Sequence, residues 1–324
     1  MPVRLASGPM QYRSLGTSGL RVSEIALGSW LTYGATVDVA GATRIVEAAL
    51  ELGIQTFDTA DVYAGGAAED VLREALRGAM RHKVVIATKA FFPMSEDPND
   101  RGLSRKHLFE SVDASLRRLG TDYLDLHQCH RFDESVPIEE TVRAYEDLIR
   151  AGKVLYWGVS EWKHAQIEAA ADVADRRHAY RPISSQPQYS MLRRGIEKRV
   201  LRVCAKLGIG QIVWSPLAQG VLTGKYGSGS RPEGTRAAHP FQSRFMEPFL
   251  TEEMLARVER LRPIAAELDL TLAQLAIAWV LRQPNVASAI VGATSPAQLQ
   301  ETAKASGITL PPETLAKIDA LFPV

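Results

Sequence analysis

Tyr123-Leu124-Asp125-Leu126-His127-Gln128-Cys129-His130 is an apolar-rich, β-like run. It is followed by Ile138 to Ala151, amphipathic at helical spacing, then Gly152, then a second run, Val154-Leu155-Tyr156-Trp157-Gly158-Val159-Ser160. A strand, a helix stopped by a glycine that accepts positive φ, and another strand with no polar linker make a crossover unit, which pairs its strands in parallel. The same unit recurs on both sides. Further β-like runs lie at Ile25 to Gly28, Thr56 to Thr59, Val84 to Lys89, Ile183 to Gln188, Gly210 to Ser215 and Ser288 to Gly292, giving eight in all. Helix-period segments at Ala40 to Leu52, Ser104 to Leu119, Ala165 to Arg176 and Glu197 to Leu207 alternate with them, and Gly53, Gly120 and Gly208 follow three of these directly. Eight such units predict a (β/α)8 barrel, for which roughly 250 residues suffice.

The remainder of the 324 residues is read as additions to one domain spanning 1–324. Met10 to Arg13 and Leu20 to Val22 flank Gly16-Thr17-Ser18-Gly19 and predict an N-terminal β-hairpin. Two segments exceed the helix count, Thr251 to Leu268 and Pro312 to Leu321, and are expected as two extra helices. Gly224 to Pro240 reads as one long loop. A doubly wound nucleotide fold would place G-x-G-x-x-G after its first strand, and the chain has none; Gly220 to Tyr226 is one residue short of a phosphate loop.

Composition narrows the function class. Hydrophobic residues make up 46% and charged residues 23%, and 38 Lys and Arg against 37 Asp and Glu leave a net charge of +1. That balance argues against a nucleic-acid surface, which needs a basic excess, while allowing a local pocket for one phosphorylated ligand. Two cysteines, Cys129 and Cys204, form no ladder, so a reducing, cytoplasmic setting is expected. Met1 to Met10 lacks an apolar signal core, and the most apolar stretch, Leu270 to Leu281, is too short to span a membrane.

Barrel enzymes place their reacting groups at strand C-termini. Those ends here read Gly28-Ser29-Trp30, Asp58 to Tyr63, Thr88-Lys89, His130-Arg131, Ser160-Glu161-Trp162, Gln186, Trp214-Ser215-Pro216 and Gly292-Ala293-Thr294. Asp58, Tyr63, Lys89 and His130 together suggest proton transfer to a carbonyl. Tyr63 would donate the proton, the Lys89 ammonium would lower its pKa, Asp58 would hold Lys89, and His130 would orient the substrate oxygen. Taken singly, each has an ordinary structural reading. His127 and Cys129 alternate to the face opposite His130, so no metal site is expected. Trp30, Tyr33, Phe91, Phe92 and Trp162, with Tyr63 and His130, could wall a substrate pocket or simply pack. No arginine stands out as a clamp, so a neutral aldehyde is the expected substrate.

Gly28-Ser29-Trp30, Phe57-Asp58-Thr59-Ala60-Asp61-Val62-Tyr63, Ala87-Thr88-Lys89, Trp157-Gly158-Val159-Ser160 and Trp214-Ser215-Pro216-Leu217-Ala218 closely resemble the aldo-keto reductases. The resemblance runs from about Met10 to the C-terminus and is strongest to the branch holding potassium-channel β subunits and bacterial aldehyde reductases. It implies the tetrad Asp58, Tyr63, Lys89 and His130, and hydride delivery from NADPH, with NADH left open. It also implies that Ser160 and Gln186 hydrogen-bond the nicotinamide carboxamide, that Trp214 stacks on the nicotinamide face, and that Ser29, Trp30 and Asp58 also contact the cofactor. Ser215, Pro216, Leu217, Ala218 and Gly220, with Lys225, would line the pyrophosphate, and Gly292, Thr294, Gln298 and Glu301 would receive the adenosine end. Arg236 or Arg231 would serve a 2′-phosphate. Channel β subunits carry Asn where this chain has His130, and Glu161 stands where that branch often has Arg. The expected partner is a small carbonyl substrate, without nucleic acid or membrane, and assembly of copies is left open. The alternatives are a nicotinamide-binding regulatory subunit with little turnover and a metal-dependent hydrolase.

Overall fold

The structure is a computed structural model and describes residues 8–227 and 230–324. Strands β3 (Ile25–Gly28), β4 (Thr56–Asp58), β5 (Val85–Ala90), β6 (Leu124–Cys129), β7 (Val154–Ser160), β8 (Ser184–Gln186), β9 (Gly210–Trp214) and β10 (Val286–Val291) close into a barrel in the order β10-β3-β4-β5-β6-β7-β8-β9. Every neighbouring pair is parallel, including the closing pair β10·β3, which sets Ile290 beside Ala26. Eight helices form the outer ring: α1 (Val39–Glu51), α2 (Ala67–Ala75), α3 (Arg105–Leu119), α4 (Ile138–Arg150), α5 (His164–Arg177), α6 (Val200–Leu207), α9 (Leu272–Leu281) and α10 (Pro296–Ala303). The expected (β/α)8 barrel is the fold.

Local chemistry explains the boundaries. Ser104 accepts a hydrogen bond from the His107 backbone N–H and starts α3, while Gly120 takes φ 63° and stops it. Helix α2 carries its apolar face only as Ala68, Val71, Leu72 and Ala75, a nine-residue stripe short enough to pass unnoticed in the sequence. The expected helix from Thr251 to Leu268 is instead two, α7 (Glu252–Glu259) and α8 (Leu261–Ala266), parted at Arg260. Pro263 is the cause: it has no N–H for the carbonyl four residues back, so it is tolerated only in the first turn of a new helix. Helix α11 (Pro312–Leu321) ends the fold as expected.

The hairpin β1 (Tyr12–Ser14) and β2 (Arg21–Ser23) covers the end of the barrel where the strands begin. Leu15 and Val22 pack into a cluster with Ala26, Ala87, Leu126, Ile212 and Ile290. The Arg13 guanidinium donates to the carbonyls of Leu281 and Val286, and the Thr17 N–H donates to Gly208 O. Outside the barrel, Trp157 stacks on Tyr145 of α4, and all ten residues of α9 are buried. Among the described residues no helix is long and apolar enough to cross a membrane. The hairpin closes one end, so an open site belongs at the other.

Candidate active site

Strand register assembles the centre. Asp58 pairs with Ala87, two residues before Lys89, so Lys89 stands one inward layer higher and its stem folds back over Asp58. The Lys89 Nζ lies 2.6 Å from Asp58 Oδ2, 2.7 Å from the Thr59 carbonyl and 3.4 Å from Tyr63 Oη, and the lysine is fully buried. Gln186 donates from Nε2 to Asp58 Oδ1 at 2.8 Å, so both carboxylate oxygens are held. Tyr63 begins a short 3₁₀ turn, and Ala64, Gly65 and Gly66 all take positive φ, which swings the ring inward over Lys89. The His130 ring meets Tyr63 edge to face at 5.6 Å, and its Nδ1 is buried without a partner. Four residues from two strands and two loops thus converge, as their positions at strand ends predict.

The electrostatics correct one expectation. Burial raises the Tyr63 pKa above its ordinary value and outweighs the lowering by Lys89, so the phenol keeps its proton through the neutral range. Burial alone would lower the Lys89 ammonium, but the Asp58 carboxylate and Tyr63 reverse this and hold it above its ordinary value. His130 is pushed well below its ordinary value by burial and by the nearby charges of Lys89 and Arg131, so its imidazole is neutral. The cluster has a proton to give, a fixed cation beside the atom that gives it, and a neutral imidazole adjacent.

Around it the mouth is aromatic. Trp30 meets Trp214 at 5.7 Å and Phe245 at 5.0 Å, both edge to face. Phe91 meets Phe92, which meets His130 at 4.9 Å. Trp162 is buried against Phe132. Tyr33 is only 2% exposed and lies in the core cluster, so it packs and presents no open wall. Phe245 and Phe132 went unremarked in the sequence; Phe245 comes from far along the chain, and its one local signal is the Phe241-x-x-Arg244-Phe245 cluster, in which Arg244 covers both rings. Glu161, at φ 56°, accepts from Trp214 Nε1 at 2.9 Å and from the Gln188 backbone N–H at 2.5 Å, fixing the indole plane.

Beyond β9 and β10 the character changes to cationic. Ser215, Ala218, Gln219 and Gly220 all take positive φ within six residues, and the Ala218 and Gly220 N–H groups donate back to the Ser215 and Leu217 carbonyls, making a tight loop. Gln219 bridges this loop, donating to Ser215 Oγ and accepting from Arg236 Nη1 at 2.7 Å. Arg236 Nη2 lies 3.2 Å from where a Cβ would stand on Gly292. Lys225 sits over Gly220, its pKa lowered by burial and by the charge of Arg236. Among the described residues neither cation has a carboxylate within 4 Å. Thr294 donates from its N–H and hydroxyl to Gln298 Oε1, at the start of α10, where Ser295 is the cap. Glu301 is exposed, whereas Thr302 is buried with its hydroxyl turned back to Gln298 O and Leu299 O. Ser160 donates to Gln186 O, and Ser29 to Thr59 Oγ1.

A parallel barrel with an Asp–Lys–Tyr–His cluster at its mouth and two uncompensated cations, Lys225 and Arg236, alongside is the layout of a carbonyl oxidoreductase. The chain belongs to the aldo/keto reductase family, whose model matches residues 24–322. It is 46% identical over 318 residues to an Arabidopsis thaliana protein described as "Probable voltage-gated potassium channel subunit beta", covering 97% of each chain. An Oryza sativa subsp. japonica protein of the same description is 44% identical over 317 residues, 96% of each chain.

Proposed function

We propose that the chain reduces aldehydes to alcohols with NADPH, and that Tyr63 is the proton donor. The observation that carries this is the buried Asp58–Lys89–Tyr63 chain, with Nζ 2.6 Å from the carboxylate and 3.4 Å from the phenol oxygen. Lys225, held over the Ser215 to Gly220 loop, suits a pyrophosphate, and Arg236 beside Gly292 suits a 2′-phosphate. Ser29, Trp30, Ser160, Gln186 and Trp214 would hold the nicotinamide end, and Gly292, Thr294, Gln298 and Glu301 the adenosine end. When bound, the cofactor supplies hydride to the carbonyl carbon. Tyr63 Oη–H gives its proton to the oxygen as negative charge develops there. Lys89 stabilises the phenolate left behind, and Asp58 keeps the ammonium from turning away. Neutral His130 donates an N–H to the carbonyl oxygen and fixes its approach. The cytoplasm is the setting that the two buried, unpaired cysteines suit.

The names of the two relatives favour a second reading, a cofactor-binding subunit with little turnover. NADPH absorbance followed with a panel of small aldehydes separates the two. Turnover in wild type and a loss of about 10² to 10⁴-fold in Tyr63→Phe, with cofactor affinity unchanged, is the expected result. Tight NADPH binding with no oxidation by any aldehyde would put the second reading first.

A further inference from the structure

Two other arginines withdrawn from solvent are saturated by partners. Arg194 donates to Glu197, Asp319 and the Phe322 carbonyl; Arg81 donates to Thr121, Val84 O and Tyr123 O and pairs with Asp125. Arg131 is different. Its guanidinium has five N–H donors, and among the described residues its one hydrogen bond runs from Nη1 to the adjacent His130 carbonyl, at 2.5 Å. It is half-buried, lies 5.4 Å over the Phe92 ring, and Phe92 in turn abuts His130, which abuts Tyr63. Among the described residues no carboxylate lies within 4 Å of it. Glu161 is near enough to be felt, but one of its oxygens is already held by Trp214 and Gln188, and the charge of Arg193 opposes it. A partly desolvated cation with most of its donors uncommitted, two aromatic rings from the proton donor, is built to receive an anion.

That anion is not the dinucleotide. The cations suited to its phosphates, Lys225 and Arg236, lie by the ends of β9 and β10, whereas Arg131 follows β6, four strands from β10 in either direction around the barrel. The two cationic groups therefore face each other across the mouth, with Tyr63 and His130 on the Arg131 side. We propose that Arg131, its field reinforced by Arg193, is the subsite for a substrate carboxylate, so that the preferred substrates are aldehydes carrying an acid group a few bonds from the carbonyl. This rests on the reductase reading and revises the neutral aldehyde expected from sequence, where side-chain direction at Arg131 was not legible. Arg131 acts as a specificity residue: it selects the substrate and transfers no proton.

The test compares benzaldehyde with 4-carboxybenzaldehyde in the full-length protein, as a ratio of kcat/KM, which cancels any general damage. Wild type is expected to favour the carboxylate, and Arg131→Gln to reduce that ratio about 10- to 100-fold, mainly through KM, as for a lost hydrogen bond to a charged group. Arg131→Lys should keep part of the preference, a recovery that a packing role for the side chain would not produce, and added salt should erode it. Binding of 4-(hydroxymethyl)benzoate against benzyl alcohol, measured by calorimetry, runs alongside. Equal kcat/KM for the two aldehydes in wild type, or the same ratio in Arg131→Gln, overturns the subsite. Should neither aldehyde be turned over, the reductase reading falls and calorimetry alone decides: tighter carboxylate binding that Arg131→Gln abolishes sustains the subsite, and equal binding removes it.

Discussion

Tyr63 carries two opposed influences, burial raising its pKa and Lys89 lowering it, and burial wins. Reduction needs the protonated phenol, so kcat/KM should be flat across the neutral range and fall only on the alkaline side, above the ordinary phenol value of 10.0. His130, held well below 6.5, should add no limb near neutrality. A pH profile of kcat/KM from 5 to 11 checks both, and a half-maximal point near pH 7 would contradict them. At this scale the sequence reveals residue type and strand position but not direction. Asp58 and Lys89 were legible from alternation along their strands, His130 because it directly follows β6 and continues its alternation, and Tyr63, on a loop, only through the motif it shares with Asp58. Tyr33 and Arg131 were not, because each sits in a loop whose backbone decides where the side chain goes: Leu31 takes φ 64° just before Tyr33, and the ring turns into the core. Glu161 illustrates the same limit, since its hold on Trp214 depends on a left-handed backbone that no periodicity announces.

Among the elements, β7 and β8 approach so closely that one glycine is obligatory. A Cβ on Gly158 would stand 1.9 Å from Ser184 Oγ and 2.7 Å from the Ser184 carbonyl. The carbonyl cannot step aside without breaking the β7·β8 ladder, which aligns Ser160 with Gln186. Gly158→Ala should therefore cost about 1–3 kcal/mol or more, typical of an overpacked interior, and lower activity by displacing Gln186 from Asp58. Thermal melting and cofactor affinity, measured together, check this; an unchanged Tm would show that the strands can spread. Ser184→Gly in the same chain removes the hydroxyl and Cβ contacts, at the loss of the Ser184 hydroxyl's bond to Gln128 Oε1, so it should recover part of the loss and leave the carbonyl share. Strands and most helices were legible from alternation and glycine stops, because those follow from backbone chemistry. The break at Arg260 is encoded by Pro263 alone, a single residue inside an otherwise continuous apolar period, while α2 is too short for its stripe to rise above its neighbours.

For the molecule as a whole, charge is nearly balanced, so pH sensitivity comes from individual buried groups. Asp61 is fully buried against Ser111, with Glu69 and Arg118 nearby, and burial pushes its carboxyl up from 3.8 to about 7. The folded state then holds a proton that the unfolded chain releases near pH 4, so stability falls as pH rises from about 4 to 7 and levels off above. Asp61→Asn mimics the protonated form and keeps an acceptor for Ser111. Its Tm advantage should widen by a few degrees between pH 5 and pH 8. Parallel Tm curves for the two proteins would show that Asp61 is already ionised at pH 5.

The closing pair of the barrel joins Ala26 on the first barrel strand to Ile290 on the last. A ribosome adding about 5–20 residues per second delivers β4 soon after β3, but β10, its other partner, only after tens of seconds. Throughout that interval β3, Ile25-Ala26-Leu27-Gly28, can pair with β4 on one side, but its other edge, wholly apolar, waits unpaired. The nascent chain is thus a client for whatever shields sticky strands during translation. Its yield in a cell should be limited less by the stability of the finished barrel than by how well that first edge is kept from other chains while it waits.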